Sequence, residues 1–142
     1  ITKHIDASQA YLNSYFAPEH EIHFRPLPGL NVKLGKVLKG IKAIYGTKQG
    51  GNRWFKLLRD TMLSLGYVQS EFDECLYFMR SEGAFIIMVI FVDDGICWTN
   101  NKKLYDWTLR ELNKHFKMND LGDLEWFLAI KFESNIEKVT TI

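Results

Sequence analysis

Residues 84–95 read AFIIMVIFVDDG, an uncharged apolar run that ends in two adjacent carboxylates and a glycine. A short apolar run of this kind predicts a buried β-strand. Two neighbouring ionised groups beside a core repel each other and are costly to bury without a partner. The stretch therefore predicts a strand that carries Asp93 and Asp94 to a site where a divalent cation is the natural partner.

The segments on either side of this strand have the pattern of β-hairpins. Cys75–Met79 is strand-like and is followed by the turn Ser81-Glu82-Gly83, whereas Ile96–Thr99 is strand-like after Asp93-Asp94-Gly95. Because Asp-Gly favours a tight turn, the sequence places the two carboxylates at the tip of a hairpin.

Two further segments have the apolar spacing of amphipathic helices. One runs from Arg53 to Leu65 and the other from Lys102 to Phe116. Further strands are predicted at the start of Lys3–Leu12, at Glu21–Phe24 and at Glu125–Glu133. The pattern predicts an α+β fold in which an antiparallel sheet carries the helices on one face.

Composition limits the classes of protein to which the chain belongs. With 142 residues and a net charge of +1, it is expected to form a single globular domain. No run reaches the roughly 18 apolar residues of a membrane span, so no membrane partner is expected. The spacing of Cys75 and Cys97 matches no zinc or disulfide motif and fits a reducing compartment.

Basic residues are concentrated in one part of the chain. Nine Lys and Arg residues lie between Arg25 and Arg59 with no acid among them, and we call residues 25–59 the basic segment. Lysines recur at every third position from Lys33 to Lys42, which predicts helical turns with a basic stripe, weakened by Gly35 and Gly40. The segment is either a surface for a polyanion or an ordinary solvated face.

Asp6 is the candidate for a third carboxylate. Adjacent residues on a strand point to opposite faces, so Asp93 and Asp94 reach one ion only if a turn reorients them. Asp6 follows a strand-like stub and could join them from a neighbouring strand. Three carboxylates suit Mg²⁺ and the two-metal chemistry of phosphoryl or nucleotidyl transfer. The competing interpretation is an ordinary Asp-Asp-Gly turn that binds no metal.

Four motifs make the sequence recognisable. Residues 91–94, FVDD, resemble a Y-V-D-D box, and residues 6–13, DASQAYLN, resemble D-V-K-T-A-F-L-x. Residues 38–55 are similar to L-x-K-A-L-Y-G-L-K-Q-x-x-x-x-W-Y, and residues 121–130 are similar to L-G-E-L-K-Y-F-L-G-I. In this order the motifs resemble the reverse transcriptase of copia-type long-terminal-repeat retrotransposons over nearly the whole chain.

The resemblance implies a role for several residues. Asp6 and Asp93 would be the principal ligands of two Mg²⁺ ions, for which Mn²⁺ could substitute, and Asp94 would complete the catalytic and metal-binding set. Tyr11 would lie under the sugar of the incoming nucleotide and exclude a ribose 2′-hydroxyl. Gln49 would line the nucleotide pocket. Without the resemblance, Tyr11 reads as a core tyrosine and Gln49 as a surface glutamine.

The resemblance also implies residues that contact nucleic acid. Lys48 and Arg53 could meet phosphate, and a solvated role is the alternative for each. Trp126 and Phe127 fall where such enzymes grip the primer end, and packing of an aromatic strand is the alternative. Trp54 is expected in the core. Phe91 stands where the family has Tyr, so a hydroxyl near the primer is lost.

The fold implied by the resemblance is the palm of a right-hand polymerase. Residues 1–142 would form a single palm domain, without the fingers, thumb and RNase H segments of the Pol polyprotein. The implied partners are a template RNA or DNA with its primer, dNTPs, and the integrase and RNase H segments. The implied location is a cytoplasmic virus-like particle, with nuclear entry of the replication complex. The alternatives are a degenerate or domesticated palm that binds nucleic acid or protein without polymerising, and an unrelated magnesium nuclease.

Overall fold

The computed structural model describes residues 1–19 and 21–133. Its elements are, in chain order, β1 (Thr2–Ala7), a 3-10 helix (Ala10–Asn13), β2 (Ile22–Phe24), β3 (Leu38–Gly40), α1 (Lys48–Ser64), β4 (Val68–Gln69), β5 (Leu76–Ser81), β6 (Ala84–Phe91), β7 (Asp94–Thr99), α2 (Lys102–Leu112), β8 (Met118–Asp123), β9 (Trp126–Phe127) and β10 (Ile130–Lys131).

Six of these strands form one antiparallel sheet in the order β4-β5-β6-β7-β1-β8. The apolar run 84–91 forms β6, near the middle of the sheet, and its alternate residues Ile86, Met88 and Ile90 are buried. Strand β1 enters between β7 and β8 although it comes first in the chain. The apolar run is therefore the strand around which the sheet is built.

Both helices pack on the same face of this sheet. Trp54 and Met62 of α1 share one buried cluster with Leu112 of α2 and with the inward residues of β1 and β6. The ring of Trp54 meets that of Phe116 edge to face, with centroids 4.9 Å apart. The predicted α+β arrangement, a mainly antiparallel sheet with two helices, is confirmed. The opposite face of the sheet carries neither helix.

Both predicted helices are present with shifted ends. Helix α1 begins at Lys48, five residues before the predicted start, because Thr47 caps it by accepting a hydrogen bond from the Gly50 amide. Helix α2 ends at Leu112 rather than at Phe116. Asn101 caps its start, accepting from the Leu104 amide.

The helical turns predicted from the lysine spacing are absent. Residues 33–44 contain only the short strand β3, which pairs with β2, and an isolated bridge between Tyr15 and Lys42. Gly35 has a φ of 79°, outside the helical region, and the apolar side chain of Leu34 is fully exposed. The spacing led to a wrong prediction because, among the described residues, no core surface lies against this segment to bury the apolar stripe of such a helix.

The final aromatic strand was also predicted wrongly. Residues 126–131 form a hairpin of the short strands β9 and β10, because Leu128 and Ala129 both have positive φ and reverse the chain. Strand β8 is not among the strands predicted from the sequence. A bulge interrupts the pairing of β8 with β1, because the register shifts between His4 and Ile5. Gly122, which pairs with His4 and has a φ of 96°, lies at this bulge.

Candidate active site

The three candidate carboxylates meet at one end of the sheet. Asp6 lies near the end of β1 and is paired in register with Asp94, the first residue of β7. Residues paired in this way lie side by side on the same face of a sheet. Asp93 is in the turn just before Asp94, and its carbonyl accepts a hydrogen bond of 2.7 Å from the amide of Ala7. The structure thus brings Asp6, Asp93 and Asp94 together.

The turn lies two residues earlier than Asp94-Gly95, where the sequence predicts it. Phe91 pairs with Asp94, so the reversal is made by Val92 and Asp93, and Asp94-Gly95 already belongs to β7. Val92 has a φ of 59°, an unfavourable conformation for a β-branched residue. The indole of Trp54 donates a 2.6 Å hydrogen bond to the Val92 carbonyl and holds this conformation.

Gly95 allows β1 and β7 to approach closely beside the carboxylates. A Cβ atom at this position would lie 2.9 Å from the Cγ1 atom of Ile5. Glycine is therefore required for packing in the strand rather than for the turn. Its absence of a side chain lets Asp6 and Asp94 pair across the two strands.

Polar neighbours orient two of the carboxylates. Asn119 of β8 donates its side-chain amide to Asp6, with Nδ2 and Oδ2 3.1 Å apart, and to the hydroxyl of Ser8 at 2.7 Å. Asp94 is hydrogen-bonded through Oδ1 to Nε2 of His4. Each carboxylate is thereby held by a residue of the next strand, Asp6 by Asn119 of β8 and Asp94 by His4 of β1.

The donor set suits a hard cation in its chemistry. Carboxylate oxygens are the ligands that Mg²⁺ prefers. Within residues 1–19 and 21–133, however, no three His, Cys, Asp or Glu side chains are already arranged around a metal position. Asp94 is bonded to His4 and Asp6 to Asn119, so both of these carboxylates already have hydrogen-bond partners.

Two stacked tyrosines border the carboxylates. The ring of Tyr11, in the 3-10 helix after β1, lies 4.1 Å from the ring of Tyr45 at an interplanar angle of 14°. Burial, followed by the nearby charge of Asp93, raises the pKa of the Tyr45 hydroxyl. The charge of Asp6 raises this pKa as well, so the Tyr45 hydroxyl lies within the electrostatic influence of both carboxylates.

Lys48 and Arg53, which are predicted to contact phosphate, form a groove separate from the carboxylates, and Gln49, which is predicted to line the nucleotide pocket, lies in this groove with them. Lys48, Gln49 and Arg53 lie along the first turns of α1 and line a cavity of about 400 Å³ together with Asn52, Lys56 and Glu19. Lys48 and Gln49 are exposed. Arg53 forms an ion pair with Glu19, with Nη2 and Oε1 3.3 Å apart. The positive end of the helix dipole adds to the basic character of this groove.

The predicted primer-grip residues occupy the hairpin that follows β8. Trp126 is exposed, whereas Phe127 is buried outside the main core cluster. Strand β9 lies against β7, the strand that begins with Asp94. No hydrogen bond or ring contact described for residues 126–127 joins them to the carboxylates.

Three residues of the site were not singled out from the sequence. Tyr45 was read only as one letter of a motif, and His4 could have been found because a residue two positions before Asp6 on a strand shares its face. Asn119 carries no comparable signal, since the strand that positions it was not predicted. Trp54 was expected in the core and is buried there.

The comparisons with known proteins agree with the motifs. Residues 1–141 match the family described as "Reverse transcriptase (RNA-dependent DNA polymerase)". The chain is similar to the Retrovirus-related Pol polyprotein from transposon TNT 1-94 of Nicotiana tabacum, with 34% identity over 89% of this chain and 10% of the relative. It is 29% identical to the Pol polyprotein from transposon RE1 of Arabidopsis thaliana, over 91% of this chain and 9% of the relative.

A yeast relative covers a larger share of its own length. The putative transposon Ty5-1 protein of Saccharomyces cerevisiae is 27% identical over 92% of this chain and 42% of the relative. The chain therefore spans about a tenth of the plant polyproteins and less than half of the yeast protein. No solved structure matches the chain significantly. In the described part of the chain, no helix is long and apolar enough to cross a membrane.

Proposed function

Since the chain belongs to the reverse transcriptase (RNA-dependent DNA polymerase) family, we propose that it is the palm region of a copia-type Pol polyprotein. Its function would be to extend a primer 3′-hydroxyl with dNTPs along an RNA or DNA template. The single observation that supports this most strongly is the pairing of Asp6 with Asp94 across β1 and β7, with Asp93 in the adjoining turn. The family motifs mark the same three carboxylates.

Asp6 and Asp93 would hold two Mg²⁺ ions, or Mn²⁺ in their place. Asp94 would add negative charge beside these ligands. When bound, the ions would supply Lewis-acid activation of the attacking hydroxyl and neutralise charge on the phosphates. The protein's own part is positioning. Asn119 orients Asp6, Trp54 fixes the turn that presents Asp93, and His4 holds Asp94 beside them.

Tyr11 would select the sugar of the incoming nucleotide. Its ring stacks on the ring of Tyr45, and the charge of Asp93 acts on the Tyr45 hydroxyl. Tyr11 and Asp93 therefore share Tyr45 as a neighbour. Gly51 of α1 packs against it, since a Cβ atom there would lie 3.4 Å from the Tyr11 hydroxyl. A ring confined in this way can exclude a 2′-hydroxyl by contact. Gln49, two residues earlier on the same helix, lines the groove on α1 rather than the cavity beside Tyr11, and would meet the nucleotide from that groove.

The groove on α1 would bind the nucleic acid backbone. Lys48 and Arg53 would contact phosphates, with affinity that falls steeply as salt rises. Trp126, which is exposed, would meet the primer end, and Phe127, which is buried, would anchor the hairpin. The exposed apolar side chains of residues 27–41 offer surface that neighbouring Pol segments, such as the fingers, would cover. The polyprotein would act inside a cytoplasmic virus-like particle.

One observation favours a second candidate, a palm that binds nucleic acid without polymerising. Among the described residues the three carboxylates are not arranged around a metal position, and Asp94 is bonded to His4. A degenerate or domesticated domain would keep this arrangement and bind primer–template through the α1 groove alone.

Primer extension on poly(rA) with an oligo(dT) primer tests the two candidates. The assay compares this chain with a longer Pol protein that includes its flanking segments, with and without Mg²⁺, while fluorescence anisotropy measures primer–template binding in parallel. We expect Mg²⁺-dependent extension by the longer protein. Tight binding without extension by either protein would contradict the polymerase and favour the second candidate.

A further inference from the structure

Tyr45 is held in one position by the backbone around it. It lies in a tight turn in which the Thr47 hydroxyl donates a 2.7 Å hydrogen bond to the Ile44 carbonyl. The same hydroxyl oxygen caps α1 by accepting from the Gly50 amide at 3.2 Å. The turn that carries Tyr45 is therefore tied directly to the start of a well-packed helix.

The stack with Tyr11 fixes the orientation of the Tyr45 side chain. One face of its ring lies on the ring of Tyr11, with the ring centroids 4.1 Å apart and the ring planes at 14° to each other. The ring is half exposed, which shows that burial alone does not hold it in place.

Tyr11 faces a cavity from which Tyr45 is absent. The cavity measures about 210 Å³ and is lined by Tyr11 together with Gly51 and Val92, but not by Tyr45. None of Asp6, Asp93 and Asp94 lines this cavity either, so it is open space into which the Tyr11 ring could be displaced away from the carboxylates. The stack with Tyr45 opposes that displacement.

We propose that Tyr45 is a positioning residue for sugar selection, whose ring braces Tyr11 so that Tyr11 cannot retreat from a ribose 2′-hydroxyl. The inference rests on the proposed function, in which Tyr11 excludes ribonucleotides. A side chain that excludes by contact is effective only to the extent that it resists displacement. Stacked aromatic rings resist displacement beyond what buried area alone provides.

Single-nucleotide insertion kinetics in the longer Pol protein test this inference. The rate constant kcat and KM are measured for a dNTP and the matching rNTP opposite one template base, and selectivity is the ratio of the two kcat/KM values. The variants are Tyr45→Ala, which removes the stack, and Tyr45→Phe, which keeps the ring and removes the hydroxyl. Tyr15→Ala is the matched control, because Tyr15 is an exposed tyrosine that contacts Lys42 instead of the site.

We expect Tyr45→Ala to lower selectivity by about threefold to tenfold, the range that an aromatic pair contributes. The change should come mainly from a lower KM for the rNTP. Tyr45→Phe should restore selectivity to within about twofold of wild type, since the stack is kept. Tyr15→Ala should leave it unchanged. If circular dichroism shows that Tyr45→Ala is misfolded, Tyr45→Leu replaces it and should lower selectivity in the same direction.

Unchanged selectivity in a folded Tyr45→Ala or Tyr45→Leu protein would overturn the inference while leaving the polymerase assignment intact. Tighter binding of both nucleotides would also overturn it, because it would mean that Tyr45 obstructs the site. Failure of the wild-type protein to insert any nucleotide would instead contradict the proposed function and the inference together.

Discussion

The carboxylate end of the sheet, formed by Asp6, Asp93 and Asp94, contrasts with the lysine-rich loop of residues 25–42. Both stand out in the sequence by charge and spacing. At the carboxylate end, strand pairing and hydrogen bonds from Trp54, Asn119 and the Ala7 amide fix each residue. The loop has one short strand, β3, and leaves Leu34 and Ile41 in solvent. Regular spacing of residues in a sequence predicts the local structure correctly only where the segment has a core surface to pack on.

The largest effect is expected from the carboxylates themselves. Asp93→Asn, or Asp6→Asn, should reduce primer extension by the longer Pol protein at least about a thousandfold, because a bound cation contributes several kcal/mol to transition-state stabilisation. Asp106→Asn is the control, since Asp106 is an exposed carboxylate on α2 that pairs with Lys102. Extension by Asp93→Asn at the rate of the control would remove Asp93 from the site.

Stability should follow the same contrast between the two regions. Trp54→Ala should lower the free energy of unfolding by about 3 kcal/mol or more, because it opens a cavity in the core and frees the Val92 carbonyl. Leu34→Ala, in the lysine-rich loop, should change it by less than about 0.5 kcal/mol. Urea unfolding followed by circular dichroism measures both. Similar losses for the two variants would mean that the loop is packed as tightly as the core.

Alkaline pH should weaken the core around β7. Burial raises the pKa of the Cys97 thiol from 9.0 to about 12. The folded state favours the neutral thiol. The contribution of Cys97 to the free energy of unfolding is therefore complete below pH 9 and is lost as pH rises from about 9 to 12. The unfolding free energy should fall over that window.

Thiol reactivity gives a check on the same burial. At pH 8, iodoacetamide should label the half-buried Cys75 slowly and should label Cys97 only after unfolding. Mass spectrometry of the alkylated chain measures this. Equal labelling of the two thiols in the folded protein would show that β7 is open to solvent.

The smallest effect is expected from single charges in the loop. Lys33→Gln combined with Lys36→Gln should weaken primer–template binding a few-fold and reduce the slope of log Kd against log salt by about two, because each lysine contributes through diffuse charge. Lys102→Gln with Lys103→Gln on α2 is the matched control. A larger loss that depends on template sequence would mean that the loop makes ordered contacts with the bases.

Much of the fold could be predicted because its elements carry strong local signals. The apolar run of β6 and the spacing from Arg53 to Leu65 describe segments that bury one side, and both are present. The lysine spacing and the aromatic segment failed for opposite reasons. The first lacks a surface to pack on, and the second is reversed by positive φ at Leu128 and Ala129, residues that give no turn signal.

The candidate site was predictable only in part. Spacing indicated a carboxylate turn, and both the strand-like stub before Asp6 and the motifs indicated Asp6. The pairing of Asp6 with Asp94, however, depends on β1 inserting between β7 and β8. Such long-range pairing leaves no trace in local sequence. For the same reason Asn119, on the unpredicted strand β8, and the contact of Tyr45 with Tyr11 became apparent only from the structure.

The central claim, that Asp6, Asp93 and Asp94 form one cation site, can be tested by replacing Mg²⁺ with Fe²⁺ in the longer Pol protein bound to primer–template. Ascorbate and peroxide then generate hydroxyl radicals at the bound ion, and the protein fragments map its position. We predict cleavage near residues 6 and 93 that is abolished by Asp6→Asn and kept in Asp106→Asn. Cleavage elsewhere, or cleavage that persists in Asp6→Asn, would contradict the account.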